Sequence, residues 1–148
     1  YRGRMSLGAW ADKWAGPRQI ATLVTVSIDA HPYLIGRGRS IALKTGANTI
    51  HVKGNRPCWP TWTLTPAANA KTVSIKDAHG HTLAVASTTA ITGRISIITD
   101  PDHRELRVNG NLMAPTLESD YFPLPPGVHT LALTGCAGIL TYRPLTLI

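Results

Sequence analysis

The strongest constraint on this chain is a train of short runs rich in Thr, Val and Ile, cut at nearly regular intervals by glycine, proline and asparagine. In TLVTVSI, Val24, Val26 and Ile28 alternate with Thr25 and Ser27, the period-two pattern of a half-buried strand. NTIHV (48–52), TWTLT (61–65), KTVSI (71–75), TLAVA (82–86) and RISII (94–98) follow in the same style. RELRV (104–108), HTLALT (129–134) and GILTYR (138–143) complete the series. Such residues suit a pleated surface buried on one side. Between the runs, Gly46, Gly54-Asn55, Gly80, Gly93, Asp100-Pro101, Asn109-Gly110, Pro126-Gly127 and Gly135 mark turns. Asn109-Gly110 is the sharpest hairpin signal, because both central residues of a type I′ turn need positive φ. Many short strands at roughly ten-residue spacing predict an all-β, antiparallel β-sandwich. No long helical period interrupts them, which excludes a βαβ fold.

At 148 residues the chain suits one domain of ordinary size. A chain this long buries about two-thirds of its unfolded surface and needs neither disulfide nor metal to fold. An apolar share of 43% with 16% charged residues fits a globular protein rather than a disordered one. No apolar run approaches the roughly 20 residues that span a bilayer, so no membrane insertion is expected. The first residue is Tyr1, which suggests a piece of a longer polypeptide. Cys58 and Cys136 lie far apart, without CxxC or zinc-ligand spacing; one bridge between them is open to the chain, but two buried free thiols is the preferred reading.

Residues 6–15, SLGAWADKWA, set Leu7, Trp10 and Trp14 at helical spacing. Ser6 is a candidate N-cap and Gly16-Pro17 a stop, so residues 1–18 are expected to form a short helix or connecting arm. Residues 19–148 are expected to form the sandwich.

The net charge of +7 is unevenly placed. Arg37, Arg39, Lys44, Lys53 and Arg56 form a stretch without a single acid, whereas residues 57–148 hold six bases and six acids. A basic surface of this kind suits phosphates, anionic glycans or an acidic protein, or simply keeps a face solvated. Nucleic acid is not an expected partner, because no helix-turn-helix, zinc finger or RNA-binding aromatic motif accompanies the charge.

Reaction chemistry is thinly represented. His79-x-His81 would share a face in a strand and donate two metal ligands, but a Gly80-centred turn between two strands is the simpler account. His103 sits with Asp100 and Asp102 in DPDHRE, and no nucleophile signature accompanies them. Glu118 and Asp120 are loop neighbours, whereas glycoside hydrolysis needs carboxylates from opposite sides of a cleft. A hydrolase using Asp102 or Glu118 is therefore the weakest of the functional readings. The chain is read as non-enzymatic, with no catalytic residue, no cofactor and no metal.

Aromatic side chains raise carbohydrate binding as an alternative. Trp59 and Trp62 in CWPTWTL have opposite strand parity; Trp62, aligned with Leu64, belongs to the core, which leaves Trp59 nearer the surface. Trp59, Tyr121 and Phe122 are the candidate glycan or partner contacts. Arg37, Arg39, Lys44, Lys53 and Arg56 are the candidate basic contact surface.

Several segments in order resemble the C-terminal domain of siphophage distal tail proteins and related minor tail components. IATLVTVSIDAHPYLIG (20–36) resembles its opening strand and acid-x-x-Pro segment, and NTIHVKGNRPCWPTWTLT (48–65) its Gly-Asn turn leading through an aromatic-Pro pair into a strand. ISIITDPDHRELRVNGN (95–111) resembles its hairpin, SDYFPLPPGVHTLALTG (119–135) its Leu-Pro-Pro-Gly stretch, and LTYRP (140–144) its aromatic-Arg-Pro ending. The resemblance implies a galectin-like, jelly-roll-like sandwich and a structural role at the tail tip or baseplate. It implies partners among other tail proteins: the tail tube, the hub and the receptor-binding proteins. It also implies a virion location after assembly in the bacterial cytoplasm, and a ring-forming homo-oligomer at full length. Residues before Ile20 are too few for a ring domain, so 1–18 would be the connection to one. The basic 37–56 stretch departs from the family pattern and would face an acidic ring neighbour or a negatively charged cell envelope. The alternative remains a module recognising host cell-wall polysaccharide.

Overall fold

The computed structural model describes residues 3–30 and 33–147. Arg2 of the expected connecting arm and Pro32 of the acid-x-x-Pro segment therefore lie outside the described residues. The chain divides into two compact units, one built on the first 34 residues and one comprising Ile35–Thr146.

The first unit is a long antiparallel hairpin of β1 (Gly3–Ala15) and β2 (Arg18–Ala30), closed at Gly16-Pro17 with Gly16 at φ 61°. The helix expected over 6–15 is thus a strand. A register shift between Leu7 and Trp10 places one extra β1 residue against β2, so Leu7 faces Val26 while Trp10 faces Val24. Such a bulge puts side chains three apart on one side of a ribbon, where an unbroken strand would put them on opposite sides. That reproduces the spacing of a helical face. Ser6, the expected cap, instead pairs with Ser27. The alternation of Val24, Val26 and Ile28 is real, but the half-burial expected from it is not: all three are exposed.

The second unit is a sandwich. Its larger sheet has the order β11-β10-β9-β6-β13-β4. These strands are β4 (Arg39–Leu43), β6 (Thr61–Pro66), β9 (Ile95–Ile98), β10 (Glu105–Val108), β11 (Asn111–Leu112) and β13 (Cys136–Tyr142). The smaller sheet runs β5-β12-β7-β8, from β5 (Gly46–Val52), β7 (Thr72–Asp77), β8 (Thr82–Ala86) and β12 (Gly127–Thr134). Two short strands, β3 (Tyr33–Ile35) and β14 (Leu145–Leu147), complete the element order. Every named sandwich pairing is antiparallel.

The core follows from the period of two. Trp62, Leu64, Ile95, Ile97, Leu106 and Leu140 point inward from the larger sheet, and Ile50, Val52, Val73, Ile75, Leu83, Val85, Leu131 and Leu133 belong to the same buried cluster from the smaller one. Burying each such side chain contributes about 1.5–3 kcal/mol, which conformational entropy largely offsets. Trp62 aligns with Leu64 as expected, and both are fully buried.

Loop chemistry holds the layers in place. Asn109 at φ 48° and Gly110 at φ 83° form the expected two-residue turn, with Val108 opposite Asn111. Leu124 of the Leu-Pro-Pro-Gly stretch is buried and exchanges backbone hydrogen bonds with Cys58 at 2.8 and 2.9 Å. Cys58 and Cys136 are both free and buried.

Candidate interaction surfaces

Within the hairpin, the register sorts side chains onto two faces. Met5, Leu7 and Trp10 on β1 stand opposite Ile28, Val26 and Val24 on β2. These six side chains are 38–68% exposed, a contiguous apolar surface. The reverse face carries Arg4, Ser6 and Lys13 against Asp29, Ser27 and Ala21, with Ala11 against the exposed Leu23 among them. Near the turn, Asp12 Oδ1 accepts hydrogen bonds from Gln19 Nε2 at 2.9 Å and Thr22 Oγ1 at 2.7 Å, which fixes the tip. A short helix or connecting arm over this Trp-bearing segment, as its spacing suggests, carries no such apolar ribbon. The ribbon appears only once the partner strand is known.

In the sandwich, the basic stretch is gathered around the segment 142–145. Arg39 lies opposite Tyr142 across β4 and β13, and Gly36, next to Arg37, donates its N–H to Pro144 O at 2.8 Å. Lys53 donates its N–H to Tyr142 Oη at 3.2 Å, and Arg56 donates its N–H to Leu145 O, also at 3.2 Å. Arg37, Arg39, Lys53 and Arg56 are thus drawn together from two segments, and all are exposed. Arg143 joins them from a third. It was visible only as part of an aromatic-Arg-Pro ending. Lys44 stands apart at the other end of β4, where Asn48 Oδ1 accepts its N–H at 2.8 Å. Among the described residues, none of these cations takes part in an ion pair.

The candidate aromatic contacts separate. Trp59 and Tyr121 are half-buried, and Arg104 lies 5.8 Å from the Tyr121 ring centroid, in cation–π range. Phe122 is only 3% exposed and does not belong to a contact surface. It packs in the core against Trp62 at 6.3 Å between centroids, with His81 stacked over its ring at 5.5 Å. Loop parity is no guide to direction, because turns re-aim side chains freely.

The ionisable groups considered for chemistry are engaged in turns. Asp77 Oδ1 accepts the N–H groups of His79 at 2.9 Å and His81 at 2.8 Å, while Asp77 Oδ2 pairs with His81 Nδ1 at 2.7 Å. Burial pushes the Asp77 carboxyl up, but these hydrogen bonds outweigh it and hold it below its usual range. The same bond raises the His81 imidazole against its desolvation, with the charges of Asp77 and Asp120 adding to it. Asp100 shapes its own turn: its Oδ1 accepts Asp102 N–H at 3.1 Å and its carbonyl accepts His103 N–H at 2.9 Å. Asp102 is exposed between β9 and β10, and Glu118 is exposed in the loop beside β8, in the other sheet. Among the described residues no group of three or more His, Cys, Asp or Glu is arranged to hold a metal.

These features define a β-sandwich module with its free cations clustered at the surface, accompanied by an amphipathic hairpin. The chain belongs to the siphovirus-type tail components, whose C-terminal domain model matches residues 53–145. Its fold is similar to that of the SPP1 Dit (gp 19.1) protein, whose crystal structure is presented as a paradigm of the hub adsorption apparatus in phages infecting Gram-positive bacteria. That likeness has a TM-score of 0.73 at 17% identity, covering 98% of this chain and 59% of the other. This chain therefore spans 59% of the length of that solved relative. A comparison with curated proteins finds no match.

Proposed function

We propose that this chain is a distal-tail structural component that joins the tail tube to the host-attachment apparatus at the tip of the virion tail. The observation that carries the reading is the family match over residues 53–145, which takes in most of the sandwich. The mechanism is assembly: a rigid sandwich offers surfaces to symmetric neighbours, and repeated copies multiply weak contacts. In the full-length protein, assembled in the bacterial cytoplasm, like copies form a ring. The apolar hairpin face of Leu7, Trp10, Val24 and Val26 packs there against the neighbouring copy. Tail tube, hub and receptor-binding proteins are the remaining partners, and the chain performs no catalysis. Gold-labelled antibody against the sandwich, imaged on purified virions, is expected at the tail tip; label along the shaft or absent from virions overturns the reading.

A second reading is favoured by the Arg104–Tyr121 pair, since a half-buried aromatic flanked by a cation suits a sugar ring. Here Trp59 and Tyr121 contact host cell-wall polysaccharide. Binding on a glycan array that is lost in Trp59→Ala and Tyr121→Ala supports it, and binding that survives both replacements rejects this site.

A further inference from the structure

A sandwich of two open sheets has four edges, and this one treats them unequally. The edge at β8 is covered by the loop 116–120. Thr116 donates its N–H to Ala84 O at 2.9 Å and Asp120 to Thr82 O at 2.8 Å, while Ser119 Oγ accepts Ala84 N–H at 2.9 Å. The edge of the larger sheet on the same flank, β11, is only two residues long. On the other flank, β4 and β5 are consecutive in the chain, and each is the last strand of its own sheet. Among the described residues, no strand or loop bonds to the backbone of Arg39–Leu43 on the side away from β13.

The charges bracket this open edge. Arg37 and Arg39 stand at its start, with Arg143 beside Tyr142, the cross-strand partner of Arg39. Lys44 stands at its end, its backbone pinned by the Asn48 side chain, which also donates to Lys44 O at 2.7 Å. At roughly 3.3 Å per residue, Arg39 and Lys44 lie about 17 Å apart along the edge. An exposed edge is a template for strand addition, and charge on it decides which strands are admitted. A second copy is repelled, because it brings the same cations. Nor does the sandwich offer an acidic strand of its own: Asp77 is bound to His81 and Glu105 to Arg107.

We propose that the β4 edge accepts an acidic extended segment of a partner protein as an additional strand, with its carboxylates set against Arg37, Arg39 and Arg143 at one end and Lys44 at the other. A polyanionic glycan would satisfy the cations but leave the backbone groups of Arg39–Leu43 unmatched, which is why a polypeptide is the better occupant. The proposal stands on the sandwich alone and does not depend on the tail-tip reading.

The test uses the full chain and three probes: a ten-residue alternating Thr/Val peptide with Glu at both ends, the same peptide with alternate backbone nitrogens methylated, and inorganic polyphosphate. The first peptide is expected to bind and to slow hydrogen exchange at amides within 39–43. Methylation, which removes the ladder donors but no charge, is expected to weaken binding about tenfold or more. Paired Arg39→Glu and Lys44→Glu replacements, both at exposed positions, are expected to weaken it similarly and to be rescued by Lys-ended peptide. Four results overturn the proposal: no binding of the acidic peptide, equal binding after methylation, polyphosphate binding with unchanged exchange in β4, or self-association of the chain through this edge.

Discussion

The phenol oxygen of Tyr142 accepts the backbone N–H of Lys53 and donates to the carbonyl of His51, each at 3.2 Å. Tyr142 ends β13 of the larger sheet, His51 lies near the end of β5 in the smaller one, and Lys53 is the residue just past it. One buried hydroxyl therefore couples the two layers at the end where the basic residues gather.

Tyr142→Phe keeps the buried ring and removes only this coupling, leaving Lys53 N–H to find water. The expected cost is about 1–2 kcal/mol, read as a lower denaturation midpoint in urea with an unchanged slope.

Gly135 sits at φ 69° between β12 and β13, and a Cβ there would lie 2.3 Å from Thr72 O. Gly80 also has positive φ, at 95°, but a Cβ there meets open space. Gly80→Ala is expected to cost about 1–2 kcal/mol from backbone strain alone. Gly135→Ala is expected to cost clearly more, because a backbone carbonyl must move as well. Parallel thermal melts of the two variants check the difference.

The Asp77–His81 pair makes stability depend on pH with opposite signs at its two limits. The imidazole is raised in the folded state, so its contribution is complete below the unfolded histidine value of about 6.5 and fades as pH rises through the folded value. The carboxyl is lowered, so its contribution is complete above the ordinary value of about 4 and fades as pH falls through the folded one. Both operate together between about pH 4 and 6.5. The advantage of the parent chain over His81→Gln is expected to peak in that window and to be small, since the His81 side chain is 47% exposed and solvent screens the pair. Melting temperatures of both proteins across pH 3–9 give the comparison.

Burial pushes both Cys58 and Cys136 up to about 11, even though a backbone hydrogen bond at Cys58 acts the other way. At pH 8 roughly one thiol in a thousand is then ionised. The folded chain is expected to resist a thiol-specific disulfide reagent at that pH, and both cysteines to react promptly in guanidinium.

The central strands were legible because alternation is written into consecutive residues. TLAVA (82–86) coincides with β8, and TWTLT (61–65) falls within β6 with Trp62 and Leu64 inward, as their shared parity requires. Glycine and asparagine turns were equally readable, because positive φ is a property of one or two residues. The edge strand β4 went unread: RSIAL has only Ile41 and Leu43 on its inner side, too few to establish a period.

Around Leu7, Trp10 and Trp14, the same letters fit a helical face or a bulged strand, and only pairing with Val26 and Val24 decides between them. Phe122 differs in kind, since nothing local tells a loop aromatic whether Trp62 and His81 will close over it. The basic residues show the same divide. Their excess is plain in the chain, but Arg37, Arg39, Lys53 and Arg56 meet Arg143 only because β13 and the segment after it pass between them. Backbone preference and side-chain alternation act over neighbouring residues and so survive in the linear order. Which strands pair, which edge stays open and which charges converge depend on contacts between distant residues, and those exist only once the chain has folded.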